Sequence, residues 1–139
     1  DRLQQLDRGE ARRMSWQAYV DDHMVASGKV AKGAIIGLNG APWAQSPTLQ
    51  LQGDEAMKIA TAAGTPSSVM GQGIMIEGQK YLVLRAEDTS IYGKKGQEGF
   101  CMAKTGQCVL LGIYGENTQP GECNVVVEKL ADYLRESGY

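Results

Sequence analysis

Histidine and phenylalanine each occur once in this 139-residue chain, as His23 and Phe100, and cysteine only three times. A single imidazole leaves little material for a histidine-based metal centre or proton relay. The cysteines are Cys101, Cys108 and Cys123, an odd set without the pairing pattern of a secreted disulfide framework. Six residues separate Cys101 from Cys108, so the close thiol pairs of a zinc site are missing too. No apolar run approaches the roughly 20 residues of a membrane-spanning helix. No secretory leader opens the chain and no N-x-S/T sequon occurs. A basic excess is also lacking. Fourteen Lys and Arg face sixteen Asp and Glu, giving a net charge of −2 and a pI near 5.4, which argues against a nucleic-acid partner. These absences point to the reducing cytosol and to a protein without metal or cofactor.

Phosphate- and dinucleotide-binding loops are absent as well. Gly93-Lys94-Lys95-Gly96 has neither the spacing nor the hydroxyl of a P-loop, and Gly71-Gln72-Gly73 lacks a third glycine and precedes a strand. What remains is an ordinary core: 42% of residues are apolar, enough for one domain without staples. Residues 1–13 stand apart, polar and with four arginines. They read as a flexible extension, a tag remnant or an upstream translated segment, ahead of a domain spanning 14–139.

Periodicity orders the domain. A helix is expected over 15–26, where Ser15 can cap the first turn and Trp16, Tyr19, Val20 and Met24 recur at helical spacing. A strand over 34–38 ends at Asn39-Gly40, a hairpin turn that returns through Trp43. A helix over about 54–63 lies between loops marked by Pro47 and Pro66. Strands are then expected at 74–76, 80–85, 90–92, 99–104 and 108–114, joined by turns too short for parallel crossovers. A helix over 120–136 closes the chain, opened by Pro120 and carrying Val126, Leu130, Tyr133 and Leu134 on its apolar stripe. The order implies an α/β fold of the α+β type, with an antiparallel sheet of about five to seven strands covered by helices.

Four segments carry a resemblance. Ser15-Trp16-Gln17-Ala18-Tyr19-Val20-Asp21-Asp22-His23, the stretch from Ala34 to Leu38 leading to Trp43-Ala44, Ser90-Ile91-Tyr92-Gly93-Lys94-Lys95-Gly96, and the helix from Pro120 to Leu134 together resemble profilins, above all the plant and amoeboid type. The likeness runs in order from Met14 to Tyr139. It matches only loosely between Pro47 and Gly73. It implies that the N- and C-terminal helices pack together on one face of the sheet, with the shorter helices on the other. It also implies a protein that binds monomeric actin, regulates its polymerisation, and is not an enzyme.

The same resemblance assigns sites. A groove for proline-rich peptides would be lined by Trp16, Tyr19, Trp43, Tyr133, Leu134 and Tyr139, because indole and phenol rings stack on prolines while their N–H and O–H groups donate to the free carbonyls of a polyproline II helix. Tyr133 and Leu134 cannot both point into one narrow stripe, so one of them belongs to the core. The actin surface would comprise Arg85, Lys94, Lys95, Lys104, Gln119, Gly121, Asn124, Val125, Glu128 and Lys129. Lys94 and Lys95 would also meet phosphatidylinositol bisphosphate at a membrane surface. The implied partners are an actin monomer and proline-rich proteins such as formin-type actin nucleators. The implied setting is the cytoplasm and cytoskeleton, and the implied state a monomer. Two rival readings remain: a small thiol enzyme built on one of the cysteines, and a ligand-sensing domain with an internal cavity.

Overall fold

The computed structural model describes residues 15–139, so the expected extension over 1–13 lies outside the described residues. Seven strands form one antiparallel sheet: β1 (Lys32–Gly37), β2 (Pro42–Gln45), β3 (Ile74–Ile76), β4 (Gln79–Ala86), β5 (Ser90–Lys95), β6 (Glu98–Lys104) and β7 (Cys108–Tyr114). Their order across the sheet is β2-β1-β7-β6-β5-β4-β3. The helix α1 is built from three successive segments, Trp16–Ala18, Tyr19–Met24 and Val25–Ser27; α2 is Glu55–Gly64 and α3 is Pro120–Glu136. A short 3₁₀ turn, Pro66–Val69, follows α2.

The sheet has apolar side chains on both faces, and each face has its own cover. Along β7, Cys108 and Leu110 point to one side and Val109, Leu111 and Ile113 to the other, as the two-residue period of a strand requires. The first side packs against Val20 and Met24 of α1 and Val127, Leu130 and Ala131 of α3. The second packs against Ile59, Ala60, Ala62 and Ala63 of α2. The terminal helices thus share one face and the shorter helical elements the other, as expected. Each fully buried aliphatic side chain contributes about 1.5–3 kcal/mol of transfer free energy. A Cβ at Gly112 would stand 2.5 Å from Val127 Cγ2, so the bare glycine is what lets α3 approach β7 this closely.

Two features were not expected. The middle segment of α1, Tyr19–Met24, is π-helical, and the Val25 amide reaches both Asp21 O and Val20 O. Apolar spacing alone could not distinguish this from regular α-helix. Second, Lys94 and Lys95 belong to β5 rather than to the turn after it, paired with Leu82 and Gly99 and with Glu98.

A buried carboxylate fixes the far edge of the sheet. Glu77 takes a left-handed backbone, φ 55°, beside Gly78 at φ 74°, in the tight β3–β4 turn. Glu55 accepts hydrogen bonds from the amides of Glu77 and Gly78, both at 2.8 Å, and from Gln52 at 2.9 Å. These charge-assisted bonds offset the cost of holding Glu77 in that region.

Candidate functional site

Ser15 starts α1 with a cap: its Oγ accepts from the Ala18 amide at 3.0 Å. That aims Trp16 back over the sheet edge, where its ring centroid lies 4.7 Å from that of Trp43 on β2. Trp43 rests on Gly37, where a Cβ would come within 2.7 Å of the indole Nε1. The π-helical stretch then places Tyr19 5.7 Å from Trp16 and 6.0 Å from the ring of His23. Tyr133 of α3 closes on Tyr19 at 6.2 Å.

The last ring is placed by backbone chemistry. Beyond α3, Gly138 adopts φ 94°, the Tyr139 amide donates to Leu134 O at 2.9 Å, and the Gly138 amide donates to Arg135 O at 3.1 Å. This is a Schellman cap, and it turns Tyr139 inward so that its ring meets Trp16 edge-on at 5.0 Å. Gln107 Nε2 donates to Gly138 O at 3.3 Å and ties the same corner to the β6–β7 turn. Trp16, Tyr19, Trp43, Tyr133 and Tyr139 therefore form one continuous aromatic cluster where α1 and α3 meet.

Its members differ in access. Trp16, Trp43 and Tyr133 are half-buried and Tyr139 is exposed. Tyr19 is only 4% exposed, so it lies beneath the other rings rather than at the surface. Burial, reinforced by a hydrogen bond shared with Tyr133, pushes its phenol up to about 12. Leu134 corrects the expectation. It is 0% exposed and packs with the core beneath α3. Adjacent helical positions diverge by about 100°, so with Tyr133 turned to the groove Leu134 must face the sheet.

The second set of expected residues lies on sheet and helix surface that α3 leaves uncovered. The Arg85 guanidinium sits 4.8 Å above the Tyr92 ring, and Arg85 pairs with Glu87 at 2.6 Å. Tyr92 donates its O–H to Glu128 of α3. Burial and that bond raise the Tyr92 phenol to about 12. Lys94 is exposed on β5 beside this group, and Asn124, Val125 and Lys129 sit on the outer turns of α3. Gln119 and Gly121 lie at the start of α3, where the Gln119 amide donates to Glu122 Oε1 at 3.1 Å. Lys104 stands apart, at the opposite end of β6 from Glu98, the partner of Lys95, and its carbonyl accepts from Arg135 at 2.6 Å.

Sequence reasoning missed Leu82, Leu84 and Tyr92. Leu82 is 63% exposed, Leu84 57%, and Val125 on the facing helix 52%. The signal was present in Tyr81-Leu82-Val83-Leu84: a strand apolar on both parities, although only one of its faces meets a core.

The thiols do not form a reactive site. All three are 0% exposed. Burial pushes Cys123 up to about 12 and raises Cys101 and Cys108 as well. A thiol protonated and sealed in this way is no nucleophile.

The Profilin family model matches residues 14–139. Profilin-A of Physarum polycephalum is 55% identical over 126 residues, covering 91% of this chain and all of that protein. The profilin structure from Schizosaccharomyces pombe superposes with a TM-score of 0.87 at 43% identity, covering 90% of this chain and all of that one. A more distant structure, mouse profilin IIa in complex with a double repeat from the FH1 domain of mDia1, superposes with a TM-score of 0.73 at 24% identity, over 91% of this chain and all of that one.

Proposed function

The chain belongs to the profilin family of actin-binding regulators, which are not enzymes, and on that premise we propose that it is a two-faced adaptor. One face, formed by β4, β5 and the outer turns of α3, binds an actin monomer. The other, the ring cluster between α1 and α3, binds proline-rich segments, formin-type actin nucleators among them. Held together, the two ligands deliver actin to growing filaments, and the actin-bound state favours nucleotide exchange.

The observation that carries this reading is the run of five rings where the terminal helices meet. A proline-rich segment is already extended and loses little entropy on docking, so rings held in place by a cap, a glycine and a π-turn meet it without rearrangement. Mouse profilin IIa, solved with an FH1 repeat, is a relative of the same fold that binds such a ligand. On the actin face, exposed Leu82, Leu84 and Val125 supply apolar contact inside a ring of charge, the composition of a reversible interface. Lys94 and Lys95 also suit phosphatidylinositol bisphosphate, each basic residue contributing about 1 kcal/mol near an anionic surface. The protein acts as a cytoplasmic monomer associated with the cytoskeleton.

Titration with decaproline tests the groove. Trp16→Ala costs at least about 2 kcal/mol of binding, about thirtyfold in affinity, as the loss of a central aromatic does. Wild-type affinity in that variant would refute the reading.

A further inference from the structure

The two faces of the protein are framed by different charge patterns, the actin face mixing cations with carboxylates. Around the actin face stand Arg85, Lys94 and Lys95 together with Glu87 and Glu128. The groove is framed differently. From residue 15 to residue 27, α1 carries Asp21 and Asp22 and neither lysine nor arginine, and β2 has no charged residue. On α3 the exposed stripe around Tyr133 presents Asp132 and Glu136.

Among the described residues, the cations near these carboxylates are largely engaged. Arg135 is bound to Asp132 at 2.7 Å and to Lys104 O at 2.6 Å, facing away from the groove toward β6. Lys29 pairs with Glu122 at 2.7 Å, at the opposite end of α3. Among the described residues, Lys129 is the one exposed cation on the stripe and lies a full turn before Tyr133. Asp21 accepts from Gln17 Nε2 at 3.1 Å at the surface. Asp22 stands three residues after Tyr19 and Glu136 three after Tyr133, and both are exposed.

We propose that the groove selects proline-rich segments flanked by lysine or arginine, whose cations are received by Asp22 and Glu136 at its rim. This rests on the groove reading and adds a rule of choice among its ligands. Rings stack on any run of prolines, so they cannot discriminate one proline-rich segment from another. Flanking charge can, because a polyproline II helix rises about 3.1 Å per residue and carries its end residues out past the rings to the rim. Exposed charges of this kind act mainly on specificity and encounter rate.

The test is a fluorescence titration of the full chain, so the arginines of residues 1–13 are present in every arm. Three capped probes are used: decaproline, decaproline with two lysines at each end, and decaproline with two glutamates at each end. At about 20 mM salt the lysine probe binds roughly three- to tenfold tighter than decaproline, and the glutamate probe weaker. At about 0.5 M salt the three converge to within about twofold. Asp22→Lys combined with Glu136→Lys brings the ratio of lysine probe to decaproline to about one or below, and Trp16→Ala weakens both. Equal binding of lysine and glutamate probes at low salt, with decaproline still bound, overturns the charge rule alone. A lysine preference that survives in Trp16→Ala or in the rim double variant places the attraction elsewhere and overturns it too. Failure of all three probes to bind overturns the groove reading itself.

Discussion

Gly37 is the most direct handle on the groove, because a single methyl there acts on ring position and on nothing in the core. A Cβ at this residue would lie 2.7 Å from Trp43 Nε1, 3.2 Å from Trp43 Cε2 and 3.0 Å from Asn39 Oδ1. Comfortable heavy-atom contacts begin near 3.5 Å, so the indole must move by roughly 0.8 Å or rotate away from β1. Gly37 has no left-handed backbone to lose, so alanine is locally acceptable. The motion loosens the contact between Trp43 and Trp16, now 4.7 Å between centroids. Such pairs are worth about 0.5–1.5 kcal/mol beyond their buried area, and a displaced ring also stacks poorly on proline. Gly37→Ala should therefore weaken decaproline binding by about three- to tenfold. The assay is a tryptophan-fluorescence titration, with a thermal melt to show that the variant is folded. A folded variant with wild-type affinity would show that Trp43 does not contact the ligand, or that the ring has room the geometry denies it.

Two further outcomes follow from the other face and from the core. Reversing Lys94 and Lys95 to Glu should slow association with monomeric actin about tenfold or more at low salt while leaving decaproline affinity unchanged; stopped-flow kinetics with labelled actin that give the wild-type rate would count against the assignment. The native thiols should resist an aromatic disulfide reagent at pH 8 and react promptly in denaturant. Because burial raises their pKa above the unfolded value, they favour the fold below pH about 9, and that contribution falls away as pH climbs past it. A thiol that reacts at once in the folded protein would contradict this.

The sheet and its covering helices were legible because periodicity survives wherever one face is buried. Strands such as Cys108–Tyr114 and the helix Pro120–Glu136 are written in the alternation of their apolar residues and in their turn and cap residues. The ring cluster was legible only through resemblance: nothing in the spacing of Trp16, Trp43 and Tyr139 says that residues so distant in the chain converge. Their convergence depends on the Schellman cap at Gly138 and on the missing side chain at Gly37, which are tertiary facts. The π-helical Tyr19–Met24 was invisible because its apolar positions fit an ordinary helix equally well. Which of Tyr133 and Leu134 belongs to the core was open for a related reason, since neighbours on a helix look equivalent in sequence until the direction of the core is known. Leu82 and Leu84 were passed over because an apolar strand is ordinarily taken for core.

The Schellman turn after α3 sets Tyr139 against Trp16, and Trp16 follows immediately on the capping serine. Polypeptide joined after Tyr139 therefore emerges within a ring's breadth of the aromatic cluster. A fluorescent or affinity fusion at that end would crowd the rings and report a partner's absence where there is only obstruction.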